Sequence, residues 1–104
     1  MITSTTETIP GREISEILGI ARGNVVRARF VGRDLIAGLR AIVGGEVSEY
    51  TKLMAESREQ AQDRMLDHAK SLGADAVVNV RFSTAMILQG TSEILVYGTA
   101  VKLK

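Results

Sequence analysis

At Gly73 the spacing of apolar residues changes from about 3.6 to 2, and that switch leaves few folds open to the chain. Before it, Tyr50, Met54, Ala61, Met65, Ala69 and Leu72 recur at three-, four- and seven-residue intervals, which predicts one helix over 48–72 with a single apolar stripe. Ser48 can cap its start, Glu49 places negative charge where the helix dipole favours it, and Gly73 suits a left-handed stop. After the switch, residues 75–88 alternate, with Ala76, Val78, Val80, Phe82, Met86 and Leu88 expected on one face. Gln89-Gly90-Thr91 predicts a hairpin turn, and residues 93–103 predict the return strand.

Upstream, residues 2–6 are β-prone and Ile9-Pro10-Gly11 signals a turn. Residues 13–31 predict extended structure broken or bulged at Gly19 and Gly23, and 34–45 a short helical turn or structured loop. The expected fold class is α+β. A β-α-β-β core with additional N-terminal strands forms a mostly antiparallel sheet, with one long helix on one face, in a single domain over 1–104. One helix covers one face of a sheet. Yet in the last strand Leu95, Tyr97, Val101 and Leu103 oppose Ile94, Val96 and Ala100, so both faces are apolar and the second needs a cover. The 34–45 segment is one candidate and another copy of the chain is the other. With two Tyr, two Phe and no Trp in 104 residues, the core is small, which favours assembly.

Several function classes drop out. A net charge of +1 supplies no field to draw the chain to nucleic acid or an anionic membrane, so neither is an expected partner. The absence of cysteine removes disulfides, zinc ribbons, iron–sulfur clusters and thiol catalysis, and fits a reducing cytoplasm. MITSTTETIPG has neither the basic nor the apolar region of a secretory signal, and no apolar run approaches the roughly 18 residues of a membrane span. The expectation is a cytoplasmic protein.

Candidate chemistry is sparse. His68, the only histidine, falls roughly 60° from the centre of the apolar stripe. It is a weak candidate for a metal ligand, because a lone imidazole supplies one of the three or four donors that zinc or copper takes. Arg58 falls within roughly 30° of the stripe centre. A guanidinium there needs a carboxylate or carbonyl, which makes Arg58 either an anion-binding group or half of an ion pair with Glu46, Glu49 or Asp75. Gly44-Gly45-Glu46 ahead of the helix resembles a phosphate-cradling loop but lacks the lysine and glycine pattern of one. Arg27, Arg29 and Arg33 form a basic cluster with only Phe30 as a stacking platform. One histidine without a paired nucleophile builds no triad.

Taken in order, these blocks resemble the YbjQ family of small bacterial and archaeal proteins. The matching blocks are Ile9-Pro10-Gly11, Glu13 to Gly19 with Gly23, Asp34 with Ala37-Gly38, Gly44-Gly45-Glu46, Tyr50-Thr51, Arg58 with Ala61, Arg64-Met65 and Ala69. Gly73-Ala74-Asp75-Ala76-Val77-Val78, Val80-Arg81 and Tyr97-Gly98-Thr99-Ala100-Val101 complete the pattern. The resemblance implies a dodecin-like subunit, a homopentamer, added short strands that help assembly, and a heavy-metal-binding label without an agreed ligand set or catalytic residues.

The leading expectation is therefore a non-catalytic homo-oligomeric scaffold or binding protein whose partner is itself. The alternative is metal or small-ligand binding at subunit boundaries, where symmetry multiplies a single Glu46, Glu49, Arg58 or His68; the cofactor is left open. An enzyme with a shared site around Arg58, Tyr50 and the glycine loop ranks last.

Overall fold

The computed structural model describes residues 1–28, 48–88 and 90–104, and the side chains of Ala28 and of 48–50 lie outside the description. Strand β1 is Ile2–Thr3, β2 Ile14–Ala28, helix α1 Ser48–Ser71, β3 Ala76–Leu88 and β4 Thr91–Leu103. The sheet order is β1-β3-β4-β2. β4 runs antiparallel to both neighbours, and β1 lies parallel to β3 at Ile2↔Ala76 and Thr3↔Val77. The fold is α+β, with one helix on one face of a mixed sheet.

The helix ends as its sequence directs. Gly73 adopts φ 80°. Its N–H bonds the Lys70 carbonyl at 2.9 Å, and the Ala74 N–H bonds that of Ala69 at 3.1 Å, the paired bonds of a Schellman cap. Ala74 then packs against the core that contains Ala69. The turn at Ile9-Pro10-Gly11 is closed by the Arg12 N–H on the Ile9 carbonyl at 3.1 Å.

Strand β2 is one element rather than two: its irregularities fall between Ile14 and Glu16 and between Ile17 and Gly19, and the ladder runs unbroken through Gly23. On the helix side the core holds Ala21, Val25, Ala61, Met65, Ala69, Val77, Val80, Ile94, Val96 and Ala100. The helix packs mainly on β2, less on β4, and hardly reaches β3.

One expectation is corrected in β3. Val80 does not share a face with Ala76 and Val78. Between Val78↔Thr99 and Arg81↔Tyr97 two residues, Asn79 and Val80, stand against Gly98 alone, and Asn79 takes φ 54°. This bulge reverses the alternation, so Val80 joins Val77 under the helix. Ala76 and Val78 pack on the opposite face with Val101, Ile9, Ile14 and Leu103. The displaced amides are not lost, because the Asn79 N–H bonds the Thr6 carbonyl and the Val80 N–H that of Ser4, each at 3.0 Å.

Ile9 and the N-terminal loop thus cover one end of the second face, a cover not anticipated from sequence; the 34–45 segment lies outside the described residues. Past the bulge the cover stops. Every residue from Arg81 to Leu88 is exposed. The Cα radius of gyration is 17.3 Å, against about 13 Å for a compact chain of this length.

Candidate functional site

The densest arrangement of polar side chains lies where α1 crosses the outer strand β2. Ser57, Ala61, Met65 and Ala69 are completely buried at four-residue spacing. Successive members of such a row advance about 40° around the helix, so the contact line drifts across its surface. The small residues in that row bring the helix backbone down onto Gly23. A Cβ there would sit 2.2 Å from the Met65 nitrogen and 2.3 Å from the Ala61 oxygen.

This drift corrects the expectation for Arg58. One stripe averaged over the whole helix placed it near the buried centre. At the N-terminal end, however, the contact line runs through Ser57, about 100° away, and Arg58 is exposed. It makes no hydrogen bond or ion pair with any described residue. Glu46 lies outside the described residues, and Glu49 and Tyr50 lie in the first turn of α1 with their side chains outside the description. Asp75, offered as an alternative partner for Arg58, is engaged elsewhere. Its Oδ2 accepts the Leu103 N–H at 2.9 Å, and its Oδ1 lies 3.7 Å from Lys102 Nζ. The Leu103 amide holds this carboxyl below its ordinary value, the Lys102 charge adds to that, and desolvation opposes it.

β2 is an edge strand, and at Arg22 and Asn24 its outward backbone groups are bonded by the helix above it. The Arg22 N–H donates to His68 Nδ1 at 3.0 Å, and Arg64 Nη1 donates to the Asn24 carbonyl at 2.8 Å. Arg27 reaches the same helix, with Nε on Ser57 Oγ at 3.2 Å and Nη2 on Gln60 Oε1 at 2.7 Å, while Ser57 Oγ donates to the Leu53 carbonyl. Arg27 therefore fastens helix to strand, and Arg29 and Arg33 lie outside the described residues.

Arg22, Asn24, His68, Glu93 and Leu95 line an open cleft of about 470 Å³ around this edge. Across it Asn24 Nδ2 donates to Glu93 Oε2 at 3.0 Å. The cleft presents a guanidinium, an imidazole and a carboxylate, but no hydroxyl or thiol beside a base; it can hold a polar ligand and offers no activated nucleophile. Sequence reading named His68 here and missed Arg22, Asn24 and Glu93. The available signal was parity: Arg22 and Asn24 fall opposite Ala21 and Val25 in β2, and Glu93 falls opposite Ile94 in β4.

The donor set does not fit a resident heavy metal. Among the described residues no three His, Cys, Asp or Glu side chains gather as ligands. A neutral imidazole that accepts a backbone N–H at Nδ1 carries its own proton on Nε2, which leaves no lone pair for a metal. Metal-ligating histidines have the reverse polarity, with the second nitrogen donating. Among the described residues, no helix is long and apolar enough to cross a membrane.

Comparison with known proteins gives one consistent result. The model of a family described as "Putative heavy-metal-binding" matches residues 1–104. A UPF0145 protein of Vibrio campbellii is 61% identical over 103 residues, 99% of each chain. One from Archaeoglobus fulgidus is 56% identical over 104 residues, covering 100% of this chain and 96% of that one. A crystal structure of a Pediococcus pentosaceus protein of unknown function, from the DUF74 family, superposes with a TM-score of 0.69 at 13% identity. It covers 100% of this chain and 98% of the other, and at that identity the likeness is one of fold.

Proposed function

The chain belongs to the YbjQ family, and from that premise we propose that it is a non-catalytic subunit of a cytoplasmic homo-oligomer, a scaffold or binding protein. Five copies is the number the family resemblance implies. The observation that carries this reading is the apolar surface left open beyond the bulge. Phe82 is 48% exposed, Met86 74%, Ile87 51% and Leu88 67%, and at the opposite end of the sheet Ile17 and Ile20 of β2 are 71% and 65% exposed. Large apolar side chains left open at both ends of the sheet of a 104-residue chain are surface that association removes from water.

Native mass spectrometry of untagged protein tests it. A pentamer gives about 56 kDa, five times the 11.2 kDa chain. A single-chain mass at micromolar concentration sinks the proposal.

A second reading, small-ligand binding at a subunit boundary, is favoured by the polar cleft at the β2 edge, with His68 in its wall and Glu46, Glu49, Tyr50 and Arg58 as further candidates. A stoichiometric excess over the protein mass in the same spectrum supports it. Its absence, together with no calorimetric heat from divalent metals or common anions, removes it.

A further inference from the structure

Antiparallel pairing fixes which backbone groups of β3 face outward. In β2 the Arg22 N–H and the Asn24 carbonyl leave the sheet edge, so Ala21, Gly23 and Val25 turn theirs toward β4. Their partners Gly98, Val96 and Ile94 face back to β2, and therefore Tyr97, Leu95 and Glu93 face β3. Those three pair with Arg81, Ser83 and Ala85. The N–H and carbonyl groups of Phe82, Thr84 and Met86 consequently point away from the sheet. Val80 confirms the phase, since its N–H leaves β3 on that side to reach Ser4. Past Val80 no described residue takes up the edge.

The edges of β2 and of β3 beyond its pairing with β1 are treated differently. The edge of β2 is occupied at Arg22 and Asn24 by the chain's own helix. Beyond Val80 the edge of β3 is taken up by no described residue, and from Phe82 to Leu88 it contains no charged residue and no proline, the usual guards against strand addition. A run of seven uncharged residues poses no like-charge barrier to a strand of the same protein.

We infer that Phe82–Met86 of β3 is the seam between subunits, its outward amides and carbonyls pairing with a strand of a second copy of this chain. This rests on the oligomer proposed above and specifies its interface. A five-membered ring has no two-fold axis between neighbours, so β3 meets a different surface of the next copy. Apart from the two-residue β1, whose far side is also open, the other bare strand edge among the described residues is that of β2 ahead of Arg22. Glu16–Ile20, with Ile17 and Ile20 the most exposed apolar residues of β2, is the mating segment. Strand addition of this kind takes affinity from main-chain bonds and register from alternate side chains.

Thr84→Pro is the direct test. It deletes an outward amide, and an edge strand accepts proline there because the ladder to β4 is untouched. The expected outcome is a fivefold fall in native mass to a single chain, with the circular dichroism of the parent retained. Hydrogen exchange on the unmodified protein gives a second readout that does not depend on the variant folding. The amides of Phe82, Thr84 and Met86 and those of Glu16–Ile20 should exchange as slowly as those of Ile94 and Val96. Fast exchange at Phe82, Thr84 and Met86 in a protein of oligomeric mass, or an intact oligomer in Thr84→Pro, overturns the seam and leaves the oligomer standing. Protection in β3 without protection at Glu16–Ile20 overturns the mating segment. A single-chain mass for the unmodified protein overturns the oligomer and the seam together.

Discussion

Gly23 lies directly against the backbone of Met65: a Cβ on the glycine would stand 2.2 Å from the Met65 nitrogen. Strand and helix meet there main chain to main chain, with no flexible side chain to yield. Gly23→Ala forces the helix off the sheet and should cost about 1–3 kcal/mol, with the midpoint falling by about 4–8 °C for each kcal/mol. Thermal melts at fixed protein concentration check it. An unchanged midpoint would mean the helix does not sit this close.

His68 Nδ1 accepts the Arg22 amide. His68→Ala removes the acceptor and should destabilise by about 1 kcal/mol. His68→Asn keeps an oxygen near the position of Nδ1 and should recover most of that. Exchange of the Arg22 amide separates the two variants: it speeds up in the alanine and stays slow in the asparagine. Equal, fast exchange in both would remove the latch.

Asn79 holds the bulge at φ 54°, where a β-branched residue is strained. Asn79→Val should cost about 1–2 kcal/mol from backbone strain, and Asn79→Gly should be close to neutral. Urea denaturation distinguishes them, and equal losses in both would point to the asparagine side chain instead.

Asp75 supplies the pH dependence. Its folded carboxyl titrates below the ordinary value of 3.8, mainly because it accepts the Leu103 amide. A depressed folded value means that the carboxylate stabilises the protein above about pH 4, and that this contribution is lost as pH falls through the ordinary value toward the folded one. Asp75→Asn should therefore be less stable than the parent at neutral pH, with the gap narrowing as pH falls below the ordinary carboxylate value. A gap independent of pH would show that the charge is not involved.

Local rules made much of this fold readable. Gly73 stops the helix because the left-handed cap needs a residue without Cβ, and the alternation in β2, β3 and β4 follows from the pleat. Two features depended on geometry that periodicity averages away. A single helical stripe assumes a contact line parallel to the axis, whereas Ser57, Ala61, Met65 and Ala69 trace a drifting one, which is why Arg58 was placed inside and is outside. Three small residues, Ser57, Ala61 and Ala69, in a four-residue row with Met65 were the available clue. Alternation in β3 likewise assumes an unbroken pleat, and Asn79 among valines was the only sign of a break. His68 was legible as the edge of a face but not as an acceptor, because its donor is a backbone amide 46 residues away.

The bulge gives β3 a parity. Before Asn79, odd and even positions answer to one assignment of inside and outside; after it, they answer to the opposite one. Drawing Asn79 into a regular pleat would carry Phe82 and Met86 through the plane of the sheet and bring Arg81 and Ser83 to the side they had left, whereas deleting it would leave both flanking registers as they are. The chemical character of the distal arm is thus set by the conformation of one residue, at a position that contributes almost no apolar surface of its own.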